Sequence, residues 1–336
     1  MGASDPEPES GEDRLIARFF RPLATDPGAL GLLDDAATIT PPPGSDVVLK
    51  ADAIVGGVHF FPDDPPDTIA KKALRVNLSD LAAKGASPVG FLLSLALPAS
   101  VGTEWLEAFA RGLGEDAQAY RCPLMGGDTD RTPGPATISI AAFGILPSGT
   151  MVRRGGARPG DRVVVTGTIG DGALGLLVRR DPAAADRWRL DSRQRNHLIE
   201  RYLLPQPRNA IALALRRYAS AAMDVSDGLV GDLGKLCAVS GVAADIEVAR
   251  VPLSDAARGA QASDPSLIET ALTGGDDYEV VATVPPAALD ALQAAAGAAG
   301  VALTEIGSIR ADRPRANFRD QHGQSLLFKR PSFSHF

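Results

Sequence analysis

Apolar positions along this chain fall into two kinds of run that alternate from end to end. Short stretches dense in Val, Ile and Leu read as strands: Val47–Val55, Phe91–Pro98, Ala136–Leu146, Arg162–Gly167, Ala243–Val248 and Tyr278–Val284. Longer Ala- and Leu-rich stretches carry apolar residues at three- and four-residue spacing and predict helices over Pro66–Ala86, Thr103–Ala119, Gly172–Arg180, Asn209–Tyr218, Gly228–Val239 and Ala287–Ala298. Such alternation predicts the α/β (α+β) class. The Gly155–Gly160 run, GGARPG, punctuates the pattern just before a strand and sets a boundary near residue 150. We therefore expect an acidic, disordered tail over residues 1–12, an α/β domain over 13–150 and a second α/β domain over 151–336.

A weak internal echo accompanies that division. Ser79-Asp80 and Ser226-Asp227 are each read as leading into a helical run, and Gly126-Gly127-Asp128 and Gly274-Gly275-Asp276 follow them at nearly the same offset, each expected ahead of a strand. Two readings fit: an old duplication, or a frequent helix-capping pair met twice.

Composition narrows the classes. The 336 residues suit two domains at roughly 100–200 residues each. Cys122 and Cys237 are the only cysteines and form no CxxC, which excludes a disulfide framework and a cysteine zinc site and fits a reducing, cytoplasmic setting. The tail MGASDPEPESGED has no apolar core, and no stretch is long and apolar enough for a membrane span. A net charge of −7 with 5% aromatics lacks the basic, stacking surface of a nucleic-acid binder. Anionic substrates would need cations to bridge them to such a chain.

The aspartates are the informative feature. Asp34-Asp35 follow a turn, Asp52 lies inside a strand, Asp80 stands at a helix start, Asp128 and Asp276-Asp277 follow Gly-Gly, and Asp224 and Asp227 bracket Ser226. Taken singly, Asp80 and Asp227 read as helix caps and Asp34-Asp35 as a turn. Asp52 fits its strand badly unless paired, because an isolated buried carboxylate is strongly disfavoured. Glycine at the Gly-Gly-Asp sites lets backbone approach a ligand closely. As a set, hard oxygen ligands without Cys or paired His point to Mg²⁺ rather than Zn²⁺.

No GxxxxGK[ST] loop occurs; Gly231–Lys235, GDLGK, has the wrong spacing. A GxGxxG does occur at Gly170–Gly175, but Thr168-Ile169 separate it from its strand and no acid follows at the dinucleotide-binding distance. That turn either packs its helix on the sheet or offers N–H groups to phosphate. Metalloprotease, serine hydrolase and protein-kinase signatures are absent.

The ordered blocks DDAA, ADAIVGGVHF, KALRVNLSDLAAKGASP, GGDTDRTP, RRGGARPGD, VTGTIGDGALGL, DVSDGL and TGGDDYEV resemble the bacterial thiamine-monophosphate kinase family, within the aminoimidazole-ribonucleotide-synthetase-like superfamily. The resemblance runs from about residue 13 to the end. It implies a two-domain fold of that superfamily, a homodimer built through the N-terminal sheet, several Mg²⁺ ions, and transfer of the γ-phosphoryl of ATP to thiamine monophosphate. It makes Asp35, Asp52, Asp80, Asp128, Asp224 and Asp227 magnesium ligands, with Lys50 and Ala51 standing at metal-site positions where small hydroxyl residues are common. Gly127, Asp128, Arg154 and Ser226 would contact nucleotide, and His59, Asp276 and Phe333 thiamine monophosphate. Asp80, Asp128 and Arg154 would carry catalysis, and carboxylates from both halves would gather in one pocket. Leu33 replaces a glycine before Asp34, Lys84 a methionine and Asp276 a glutamate; the ending Pro-Ser-Phe-Ser-His-Phe also departs from the family pattern.

Two alternatives stay within the same resemblance. One is a sibling synthesis of selenophosphate or aminoimidazole ribonucleotide; for the former, a reactive Cys followed by Lys in a glycine-rich N-terminal segment is missing. The other is a non-catalytic magnesium- and nucleotide-binding regulator, suggested by Leu33, Lys50 and Ala51.

Overall fold

The structure, a computed structural model, describes residues 11–333. Most of the expected tail, and the last three residues, lie outside that range. Gly11 and Glu12 already belong to a short helix, Gly11–Leu15. No helix among the described residues is long and apolar enough to cross a membrane.

The chain forms two compact units. The first comprises residues up to Pro43, Leu49–Asn77 and Pro88–Ile145; the second takes Gly44–Val48, Leu78–Ser87 and Leu146 onward. The first holds a four-stranded sheet of order β1-β4-β2-β3, with β1 at Ser45–Val55, β2 at Ser87–Leu97, β3 at Leu124–Arg131 and β4 at Thr137–Pro147. Strand β4 alternates strictly, burying Ile138, Ile140 and Ala142, as expected where one sheet face meets helices and the other does not. Arg75 grips Asp116 through Nε–Oδ2 and Nη2–Oδ1 bonds of 2.6 and 2.9 Å, tying the Pro66–Ala83 helix to the Thr103–Ala119 helix.

The second unit holds a six-stranded mixed sheet of order β10-β7-β9-β5-β8-β6, comprising β5 Arg162–Thr166, β6 Ala221–Val225, β7 Ala243–Glu247, β8 Glu279–Val284, β9 Leu303–Arg310 and β10 Arg315–Arg319. Strand β5 reads VVV without alternation because both of its faces are covered. Val163 and Val165 join one apolar cluster and Val164 another. Cys122 and Cys237 are free and buried, and burial pushes their thiols up to about 12 and about 11.

Three sequence expectations change here. Gly126-Gly127-Asp128 lies inside β3 rather than ahead of a strand, and Asp224 lies in a fully buried strand, β6. Asp80 is not at a helix start: its helix begins at Pro66, so Asp80 occupies the last turn. A carboxylate there faces the negative end of the helix dipole and cannot cap the helix. The two Ser-Asp pairs therefore hold different structural places, which removes the main support for an internal duplication.

A candidate phosphate- and metal-binding site

In the second unit, β6 carries Asp224 and runs into the loop Ser226-Asp227-Gly228 ahead of the Leu229–Ser240 helix. Asp227 does not cap that helix. The N-cap is Gly228, with no side-chain cap, and the buried carboxylate of Asp232 in the first turn instead takes the N–H groups of Ser226 and Asp227, which precede the helix, at 3.0 and 2.9 Å. Burial pushes the Asp232 carboxyl up, and its bonds to Lys235 pull against that shift. The Lys235 ammonium also reaches Asp227 Oδ2 at 2.5 Å, so the Asp227 carboxylate is held from its own helix. Two further segments fasten the loop: Asp276 N–H donates to the Ser226 carbonyl and Phe333 N–H to the Asp227 carbonyl, both at 3.0 Å. Asp224, Ser226, Asp227, Asp276 and Phe333 are thus assembled around one turn, with half of the Phe333 surface exposed.

Asp276 and Tyr278 adopt positive φ of 72° and 51°, a region that non-glycine residues disfavour. Between them, Asp277 turns into the interior. Its fully buried carboxylate accepts the N–H groups of Gly170 and Gly172 at 2.7 and 3.0 Å, and burial pushes its carboxyl well above the usual range. This decides between the two readings of the GxGxxG turn. Its N–H groups already hold an internal carboxyl, and a side chain at Gly175 would put Cβ 2.0 Å from the Leu198 carbonyl. The glycines pack the Asp171–Arg180 helix against Ser192–Leu203 and cradle no phosphate.

Beneath this turn, Glu279 is completely buried between two guanidiniums. Arg208 donates from Nε to Oε2 at 2.6 Å and from Nη2 to Oε1, Arg201 Nη2 lies 2.9 Å from Oε1, and Thr166 Oγ1 donates at 2.7 Å. Nearby, Asp171 receives bonds from Thr168, Ser254 and His197. Burial acts to raise the Asp171 carboxyl, but these bonds outweigh it and hold the group below its ordinary value. The bond to Asp171 raises His197 above its ordinary 6.5, with partial burial opposing. A raised histidine contributes stability below its unfolded value that is lost as pH rises through the folded one; the depressed Asp171 loses its contribution only as acid protonates it. The wild-type chain should therefore lose more thermal stability than a His197→Gln chain between about pH 6 and pH 9. Parallel losses in melting experiments would refute the pairing.

The remaining predicted residues distribute as follows. Asp80 and Lys84 belong to the second unit, where Lys84 Nζ donates to the Ala222 carbonyl of β6 at 2.7 Å. Arg154 is exposed; its carbonyl accepts from Ser240 Oγ at 3.5 Å, at the opposite end of the helix that follows Asp227. That helix has 12 residues, so the Arg154 backbone stands about 18 Å along the axis from the Ser226-Asp227 loop.

In the first unit, Asp128 lies exposed on β3, opposite Ser94 of β2. Gly127 admits no side chain, because a Cβ would fall 1.8 Å from the Leu93 carbonyl. Asp35 sits in an exposed bend, with its N–H on Asp34 Oδ1 at 2.8 Å, after the Pro27–Leu32 segment that packs against β3. Lys50 Nζ pairs with Asp52 Oδ1 at 3.1 Å, while Ala51 faces outward between them. His59 Nδ1 accepts the Val55 N–H at 3.0 Å, which places its proton on Nε2. Among the described residues, no three Asp, Glu, His or Cys side chains stand close enough together to hold a metal by themselves.

Residues 33–146 match the AIR synthase related protein, N-terminal domain, and residues 158–317 the corresponding C-terminal domain. The thiamine-monophosphate kinase of Caulobacter vibrioides is 44% identical over 87% of this chain and 82% of its own. The chain belongs to the thiamine-monophosphate kinase family. A crystal structure of thiamine-monophosphate kinase from Stenotrophomonas maltophilia K279a superposes with TM-score 0.81 at 38% identity, covering 94% of this chain and 96% of that one. A structure described as AaThiL complexed with AMPPCP and TMP gives 0.74 at 30% identity, over 92% and 97%. The fold is therefore the two-domain, mixed α/β fold of this kinase family.

Sequence reasoning did not anticipate Asp232 or Lys235. The signal was present in the GDLGK string, where an acid and a base three residues apart share one helix face.

Proposed function

We propose that this chain transfers the γ-phosphoryl group of ATP to the phosphate of thiamine monophosphate, releasing ADP and forming thiamine diphosphate. The observation that carries the reading is 44% identity to a thiamine-monophosphate kinase across 87% of the chain. A phosphate oxygen of thiamine monophosphate forms the new bond to the γ-phosphorus as the bond to the β-phosphate oxygen breaks. That oxygen is already a nucleophile, so the protein needs no strong base and acts by positioning and charge compensation.

Gly127, Asp128, Ser226 and Arg154 are assigned to nucleotide, and His59, Asp276 and Phe333 to thiamine monophosphate. Asp80, Asp128 and Arg154 act on the transferring group. Asp35, Asp52, Asp80, Asp128, Asp224 and Asp227 hold magnesium; Lys50 and Ala51 occupy metal-site positions but bring no carboxylate. The donor set fits this ion: Mg²⁺ binds through one or two carboxylates plus substrate phosphates and keeps several waters, so a cluster of three protein ligands is not needed. These carboxylates would hold Mg²⁺, which would supply charge compensation for the substrate phosphates and the transferring group. Purified protein with ATP, Mg²⁺ and thiamine monophosphate is expected to yield thiamine diphosphate and ADP in equal amounts. ADP without the diphosphate, or neither product, would overturn the assignment, the second outcome favouring a regulator.

We also place the protein in the cytoplasm as a homodimer formed through the first unit's sheet. Its open face sets exposed apolar residues among polar ones such as Ser94: Leu49 and Leu92 are 70% and 36% exposed, and Ala51, Ala53 and Phe143 alternate outward with the buried Ile54 and Ala142. A Leu49→Glu chain should sediment as a monomer where the wild type sediments as a dimer. Identical masses for the two chains would count against this face.

A further inference from the structure

Lys235 is a cation held between a proposed metal ligand and a buried carboxylate. Its ammonium lies 2.5 Å from Asp227 Oδ2 and 2.8 Å from Asp232 Oδ1. Asp232 has no exposed surface and is locked to the backbone of Ser226 and Asp227, so Lys235 is anchored by the same group that shapes the loop. Lys50 on Asp52 repeats the arrangement in the first unit, at 3.1 Å.

We propose that Lys235 is a resident monovalent cation that occupies the Asp227 carboxylate until nucleotide arrives. Asp227 then needs no divalent ion in the nucleotide-free protein, and it accepts one only when phosphate oxygens supply the remaining ligands. Lys50 does the same for Asp52. The physical reason is repulsion: a divalent ion entering beside a fixed ammonium meets a like charge within a few ångströms, and partial exposure moderates this cost without removing it. This role rests on the reading of Asp227 as a magnesium ligand.

The test is Mn²⁺ binding followed by electron paramagnetic resonance without nucleotide. Lys235→Met should bind Mn²⁺ about tenfold more tightly than wild type, the scale expected when a partly screened charge is removed. Adding Asp227→Asn should erase that gain, and Lys235→Arg should behave as wild type. Lys235→Gln, which can still bond to Asp232, serves in its place if the methionine chain does not fold. A folded Lys235→Met or Lys235→Gln chain with unchanged or weaker Mn²⁺ binding overturns the proposal. Asp227→Asn alone separates the two readings. Loss of Mn²⁺ uptake in the presence of an ATP analogue, with no gain in Lys235→Met, leaves the metal ligand standing and removes only the role of Lys235. Unchanged uptake removes both.

Discussion

Replacing Glu279 by alanine is expected to destabilise the second unit by about 3–5 kcal/mol, the range for removing one partner of a buried ion pair. Arg201 is 6% exposed and Arg208 17%, so neither guanidinium can recover its hydration when the carboxylate between them is gone. Thr166 Oγ1 loses its acceptor as well, while still accepting the Val280 N–H. At roughly 2–4 °C per kcal/mol for a domain of this size, the melting temperature should fall by about 10 °C or more. Glu279→Gln keeps the shape and some of the bonding and should fall in between. A loss below about 1 kcal/mol in denaturant titrations would show that water reaches the two arginines and that the network contributes little.

The second large effect is catalytic, and its signature is a split between activity and stability. Asp80→Asn is expected to lower turnover by at least ~10²–10³-fold, the scale for losing one preorganised electrostatic contact in a transition state. The same change should leave the chain folded, because relief at the negative end of the helix dipole, about 0.3–1 kcal/mol, offsets part of whatever bonding the carboxylate gives up. A purely structural carboxylate would cost stability and spare turnover. Product assays and melting curves on the same preparation decide the matter, and near-normal turnover would end the role assigned to Asp80.

The sequence was most readable where one physical signal dominated. Strand β5 announced itself through consecutive valines, and the Thr103–Ala119 helix through spacing alone, with both ends where the pattern put them. Strand β3 was missed because its residues LMGGDTDR carry the glycines and aspartates of a loop. It is a strand through its parallel pairing with β2, which local composition does not reveal. Strand β6, AAMDV, was missed for a similar reason: a strand with an aspartate one residue from its end looks like a turn until its burial is known.

The candidate site was legible as a set of residue types and opaque as a set of partners. Asp52 was expected to need a cation, and Lys50 provides one two residues away on the same strand face. The anchoring of Ser226-Asp227 by Asp276 and Phe333 spans 50 and 106 residues of chain, and no local pattern encodes contacts of that separation. The GxGxxG string left two readings open, and the partner that chooses packing over phosphate, the buried Asp277 carboxyl on its N–H groups, lies about a hundred residues away in sequence.

That buried carboxyl has a consequence for the neighbouring residue. Asp276 and Asp277 share a peptide bond. The second is pinned inside by two amide hydrogens of the glycine turn, while the first supplies the N–H that holds the Ser226 carbonyl. The pair works like a nail and its head: the orientation of Asp276 is inherited from how firmly Asp277 is driven in. Sequence drift in the first turn of the Asp171–Arg180 helix is thereby wired to the placement of Asp276, the residue proposed to meet thiamine monophosphate.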